Sequence, residues 1–225
     1  TATQLVTVTD NINPTITCTS NITQNVGVGS CTASVVTPNP TTADNCSVTL
    51  LTWALTGSTV ASSPATGINN LGTRVFNLGV TTVTYRVEDA AGNFATCSYT
   101  VTVSDNINPT ISCTSNISQN VGVGSCTASV TTPNPTTADN CSVTLLTWAL
   151  TGSTVASSPA TGINNLGTRV FNLGVTTVTY RVEDAAGNFA TCSYTVTVTD
   201  NINPTITAPP ATTGTTNAGC TSTNV

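Results

Sequence analysis

The string Asp-Asn-Ile-Asn-Pro-Thr-Ile begins at Asp10, returns at Asp105 and begins again at Asp200. Residues 10–104 match residues 105–199 except at Thr17/Ser112, Thr23/Ser118, Val36/Thr131 and Ser104/Thr199. A repeat this faithful constrains the fold more than any composition can, because each unit must fold in the same way and bury the same face. The spacing from Asp10 to Asp105 is too long for one turn of a helical solenoid and suits a whole small domain. The chain is therefore expected to divide into the last strand of a preceding module at 1–10 and complete modules at 11–105 and 106–200. The incomplete start of another module would follow at 201–225. This reads as an internal stretch of a much larger secreted protein.

Within each module the pattern is β. Val83, Tyr85 and Val87 fall on one face of a strand, and Cys97, Tyr99, Val101 and Val103 on one face of the next. Period two sends these side chains inward and the intervening Thr and Ser outward. Turn signals at Pro38-Asn39-Pro40, Gly67 through Gly72, Gly79 and Ala91-Gly92-Asn93 separate the runs. No window carries helical periodicity. The expected fold class is all-β: tandem Ig-like antiparallel β-sandwiches in a linear array. Trp53, Phe76 and Tyr85 are expected in the core, and Phe94 and Tyr99 also fall at core-like positions.

Composition narrows the function classes. Charged residues make up 6% of the chain and the net charge is -5. Nucleic acid is disfavoured as a partner, since its binding needs Lys and Arg against phosphates. No apolar run approaches a membrane span. The chain has no His, no Lys and no Met, which removes Ser/His/Asp and Cys/His catalysis and Lys-based isopeptide cross-links. Nine Cys without a C-x-x-C pair point to an oxidising compartment and away from zinc. Asn21-Ile-Thr and Asn45-Cys-Ser match glycosylation sequons, as do their copies one period on.

The ordered motifs Asp10–Cys18, Thr42–Cys46, Phe76–Tyr85, Asp89–Asn93 and Thr96–Val103 recur one period later. This series resembles the hyalin repeat (HYR) domain, and the resemblance covers the whole chain. Its Thr-rich, nearly identical tandem form is similar to giant surface adhesins of flavobacteria and their relatives, including those used in gliding. The resemblance implies an Ig-like fold, a role in adhesion and no catalytic residues. The family pattern has one Cys near the first strand and one in the last. These modules carry two more, at Cys31 and Cys46 and at Cys126 and Cys141.

Four Cys per module allow three connectivities. Ala2 stands one period before Cys97 and Ala208 one period after Cys113, while Cys220 keeps, one residue short, the place of Cys31. A module can thus lose its first Cys and keep its second. The family's retention of the first and fourth agrees. The expected pairs are Cys18–Cys97, Cys31–Cys46, Cys113–Cys192 and Cys126–Cys141, with Cys220 paired beyond residue 225.

All nine acids lie in three motifs. In an Ig-like sandwich these motifs meet at one pole, which would bring Asp10, Asn11, Asp44, Glu88 and Asp89 together beside the junction with the preceding module. Asp105, Asn106, Asp139, Glu183 and Asp184 would do the same one period on, with Asn188 as a further candidate. Clustered carboxylates and amide carbonyls are what Ca²⁺ takes as ligands. Turn chemistry, in which Asp and Asn accept backbone N–H groups, accounts for the same residues, and both readings can hold together. No other cofactor is indicated. A catalytic carboxylate pair would need a substrate cleft, and none is signalled.

The expected role is a structural stalk or filament segment of a large secreted adhesin, projecting a tip or forming fibres, and not an enzyme. Its partners would be neighbouring modules, identical chains in a fibre, and a glycan or substratum at a distant tip. It would lie outside the cell, on a bacterial outer surface. Two alternatives stay open: a repeat that itself binds glycan or protein, and a spacer within a secreted hydrolase.

Overall fold

The computed structural model describes residues 3–211. Both modules are all-β. In the first, the strands are β1 (Thr15–Thr17), β2 (Ile22–Asn25), β3 (Thr32–Val36), β4 (Thr41–Ala43), β5 (Val48–Gly57), β6 (Ala61–Ser62), β7 (Thr73–Asn77), β8 (Gly79–Asp89) and β9 (Phe94–Ser104). The second repeats them as β10 (Thr110–Ser112), β11 (Ile117–Asn120), β12 (Thr127–Thr131), β13 (Thr136–Ala138), β14 (Val143–Gly152), β15 (Ala156–Ser157), β16 (Thr168–Asn172), β17 (Gly174–Asp184) and β18 (Phe189–Thr199).

Each sandwich has a five-stranded sheet, in the order β2-β9-β8-β5-β6 in the first module. All its pairings are antiparallel except β2 with β9, which is parallel with Ile22 opposite Val101. The second layer is made of two short pairs, β1 with β4 and β3 with β7. The alternation along β8 is strict: Thr81, Val83, Tyr85, Val87 and Asp89 are buried. Trp53 faces Tyr85 across one ladder and Tyr99 faces Val83 across the other, so aromatic and β-branched side chains stack on the inner face. Phe76 enters from the second layer and is fully buried.

Two polar details fix this core. The Leu71 N–H donates to the Tyr85 hydroxyl at 3.2 Å, and both residues are buried. Gly57 has φ of 100°, and a Cβ there would sit 2.5 Å from the Val80 carbonyl oxygen. Only glycine allows that close turn.

The structure departs from expectation at Phe94 and at the partners of Cys31, Cys46, Cys126 and Cys141. Phe94 is half exposed and lies under the Arg86 guanidinium, 4.4 Å from ring centre to Cζ. At the start of β9 it occupies the outward side of the alternation. Residues 3–10 form no strand, whereas their repeat equivalents in β9 are held by β8 and β2 of the same module. Residues 3–10 have no such neighbours among the described residues. Residues 201–211 likewise carry no strand. The pairing proposed for Cys220 lies outside the described residues.

Cys18 and Cys97 are bonded, with Cα atoms 5.7 Å apart, and tie the end of β1 to β9. Cys113 and Cys192 do the same in the second module. Cys31–Cys46 and Cys126–Cys141 do not form. Cys31 follows the loop whose Val26 N–H bonds the Ser104 carbonyl, at the far end of β9. Cys46 sits beside Asp10, near the start of β9. The eleven residues of β9 separate the two poles by roughly 35 Å at about 3.3 Å per residue. Disulfide Cα atoms must lie within about 7 Å, so the two cannot meet inside one module. Cys31 instead bonds Cys141 of the next module, at a Cα separation of 4.9 Å.

Candidate functional site at the module junction

Only residues 105–109 lie between β9 and β10. Pro109 among them is buried, and Ile107 packs against the core of the preceding module. The entry segment, the β4–β5 loop and the β8–β9 hairpin meet at one pole, as do their equivalents one period on. Carboxylate oxygens of Asp10, Asp44 and Asp89 lie within 4.8 Å of one another, and those of Asp105, Asp139 and Asp184 likewise.

The fold builds this pole from ordinary turn chemistry. Asp89 ends β8 on the inward side of its alternation. Its Oδ1 accepts the N–H groups of Ala91 at 2.8 Å and Asn93 at 2.9 Å, and its Oδ2 accepts the Asn93 side-chain amide at 2.7 Å. Gly92, with φ of 92°, lets the hairpin close beneath the carboxylate. Burial works to raise the Asp89 pKa, but the bonds from Asn93, Ala91 and Gly92 outweigh it and hold the group below its ordinary value. Asp44 Oδ2 accepts the Cys46 and Ser47 N–H groups, both at 3.0 Å. Asp10 Oδ1 accepts the Ile12 N–H at 3.0 Å. That bond, and then the Cys46 thiol, keep Asp10 below its usual range.

Donors do not reach every oxygen. Asp44 Oδ1 and Asp139 Oδ1 are buried and have no partner, and so is Asn140 Oδ1. A buried carboxylate oxygen without a donor is costly unless something positive faces it. Arginine does not supply that charge. All four Arg lie over aromatic rings on the sheet faces: Arg74 over Trp53, Arg86 over Phe94, Arg169 over Trp148 and Arg181 over Phe189. Three close carboxylates with an orphaned oxygen fit a hard cation, which takes oxygen ligands only.

Not every sequence candidate reaches the pole. Glu88 and Glu183 alternate outward and pair with Arg86 and Arg181 on the sheet surface. Asn11 and Asn106 are exposed. Asn93 and Asn188 belong to the site, but as donors: the Asn188 amide bonds both Asp184 and the Asp105 carbonyl.

Sequence reasoning missed the contact that crosses the junction. The Asn140 amide donates to Asp105 Oδ2 at 3.1 Å and to the Ser30 carbonyl of the preceding module at 3.1 Å. Its neighbour Cys141 forms the disulfide to Cys31, the neighbour of Ser30. The available signal was the repeat itself, since Cys31 can be matched to Cys46 or to the same Cys one period later.

Comparison with known proteins places these observations in a family. Residues 9–103 and 104–198 each match the HYR domain. Hyalin of Strongylocentrotus purpuratus is 32% identical over 207 residues, covering 89% of this chain and 15% of that protein. Hyalin of Lytechinus variegatus is 32% identical over 210 residues, covering 91% of this chain and 34% of that protein. The chain thus spans a small part of these relatives. Among solved structures, mouse cadherin-23 EC22-24 matches with TM-score 0.34 and 14% identity, covering 83% of this chain and 67% of that one. Fibronectin(III)-like modules of Clostridium thermocellum CbhA match with TM-score 0.33 and 14% identity, covering 87% and 100%. Matched twice, once for each sandwich, the chain belongs to the HYR domain family.

Proposed function

We propose that this chain is a stiff structural segment of an extracellular adhesive protein, a stalk that holds sandwiches in line. The observation that carries the reading is the junction. A linker of residues 105–109 has its Pro109 buried and its Ile107 on the preceding core. A Gly/Ser linker would leave the modules free to swing, whereas a short linker with a buried proline favours a fixed angle. Three disulfides suit an oxidising exterior. Low charge weakens repulsion between neighbouring chains and favours bundling into fibres. Similarity to hyalin supports an adhesive role, and the resemblance of the Thr-rich tandem form to flavobacterial surface adhesins, gliding adhesins included, supports a bacterial surface setting.

Calcium at the junction belongs to the same reading. Asp105, Asp139 and Asp184 would hold the ion, and the orphaned Asp139 Oδ1 is the feature that asks for it. The ion would join the entry segment to two loops of the same module.

A repeat that binds a ligand is the second reading. A shallow, mainly apolar groove lined by Trp53, Ser63, Pro64 and Arg86 recurs at Trp148, Ser158, Pro159 and Arg181.

Small-angle scattering and thermal melting, in EDTA and in millimolar Ca²⁺, test the main reading. Two sandwiches in line should give a maximum dimension above about 70 Å, from two strands of eleven residues at about 3.3 Å each. Ca²⁺ should raise the melting midpoint of the parent by mass action, raise it less in Asp184→Asn, which keeps the Asp10, Asp44 and Asp89 cluster, and leave Asp89→Asn with Asp184→Asn unmoved. A folded-back, compact particle would overturn the stalk, and an unchanged midpoint would remove calcium.

A further inference from the structure

We propose that Cys31–Cys141 is one rung of a disulfide ladder, in which each module is covalently tied to the module before it through Cys46-type positions and to the module after it through Cys126-type positions. The proposal rests on the stalk reading for its setting, but its chemistry stands on the cysteines alone.

Cys126 occupies in the second module the place Cys31 occupies in the first, and Cys46 occupies the place of Cys141. Cys31 and Cys141 are bonded across the junction, whereas Cys46 and Cys126 are free and exposed. The two free thiols sit at opposite poles, Cys46 beside Asp10 and Cys126 just past the β11–β12 turn. Neither can reach a partner in its own module, for the same reason that Cys31 cannot reach Cys46. A flanking module in register would bring the missing partner.

A second observation points the same way. At the observed junction, Val28 and Gly29 line a cavity with Ile107, Asn108 and Thr110 of the incoming segment. At the far pole of the second module, Val123, Gly124, Ser125 and Cys126 line a cavity with Asp200, Ile202, Asn203, Pro204 and Thr205. Residues 200–205 are the period-matched equivalents of 105–110, so the incoming segment already lies against the Cys126 loop. Asp139 and Asn140, which complete the first cavity beside Cys141, belong to the part that a following module would supply.

Each rung forms when two thiols lose two protons and two electrons to a disulfide oxidant, which is reduced to its dithiol. The result is a junction with two covalent struts, the backbone linker and the disulfide. Two struts set apart resist bending and twisting in a way that one strut cannot.

A second copy of this chain serves as the flanking module. The full chain carrying Cys220→Ser is concentrated with glutathione disulfide at about pH 9, where thiols ionise, and run without reductant. Head-to-tail oligomers linked Cys126 to Cys46 are expected, seen as a ladder that collapses to monomer with reductant. Cys46→Ser or Cys126→Ser alone should abolish the ladder, and mixing the two variants should give dimers only. In Cys46→Ser, the Cys31 peptide, told from the Cys126 peptide by Val36 against Thr131, should remain cross-linked to the Cys141 peptide. Symmetric Cys46–Cys46 or Cys126–Cys126 products in equal yield, monomer throughout, or loss of the Cys31 cross-link in Cys46→Ser would overturn the ladder. Scattering on unreduced Cys126→Ser, which stays monomeric and keeps the Cys31–Cys141 bond, reports the stalk separately, so either idea can fail without the other.

Discussion

At the residue scale, the acids of the junction brace the turns that carry them. Asp89 is a local brace: one carboxylate satisfies two backbone N–H groups and the Asn93 amide. Because those bonds hold its folded pKa below the ordinary value, the stabilisation is present above that ordinary value and is lost as pH falls through the folded one. Melting midpoints followed downward in pH should therefore drop below about pH 4, the range of an ordinary Asp. Asp89→Asn should melt lower than the parent at neutral pH and show a shallower acid slope. An unchanged slope would mean that other carboxylates control acid unfolding. The same alternation that buries Asp89 sends Glu88 outward, which is why proximity in sequence did not place Glu88 in the site.

At the element scale, β8 organises each sandwich. It is hydrogen-bonded to β5 on one side and β9 on the other, and its inner face carries Val83, Tyr85 and Val87. Tyr85→Phe keeps the ring and removes the acceptor for the buried Leu71 N–H. A cost of about 1–3 kcal/mol is expected in denaturant unfolding. Phe76→Ala, opposite Ala33 in the second layer, should cost about 3–5 kcal/mol. Either change is confined to the first core, whose buried members are all distinct from those of the second. The unfolding curve should split into two transitions, with the later one where the parent unfolds. A single transition displaced as a whole would show that the modules unfold together.

At the scale of the whole molecule, the junction decides mechanical behaviour. Each sandwich has its own core and its own Cys18–Cys97 or Cys113–Cys192 bond. Cys31→Ser should leave the cores folded and the strand content unchanged. The range of inter-module angles should widen, read as a shorter mean end-to-end distance between labels near Gly92, in the β8–β9 hairpin, and Val155, in the β14–β15 turn. Ile107 and the Asn140 bridge remain in that variant, so complete loss of orientation is not expected. If the distance distribution of Cys31→Ser equals the parent's, the packed linker alone sets the angle and the disulfide adds no stiffness.

The repeat, its length and the period-two alternation are properties of the chain, so the all-β sandwich and its core of Trp53, Phe76, Tyr85 and Tyr99 were legible without coordinates. So was the convergence of Asp10, Asp44 and Asp89, because three turn motifs of an Ig-like sandwich share a pole. The partner of Cys31 was not legible. In a nearly identical tandem array, position 46 and position 141 present the same local sequence, and no pattern in the residues distinguishes a bond within a module from one between modules. Distance decides it. The length of β9 puts Cys31 and Cys46 at opposite ends of one sandwich, and the short linker brings Cys141 of the next to Cys31. The sequence determined the modules and their inward faces; only the tertiary structure determined how one module is fastened to the next, because that depends on which pole each loop occupies.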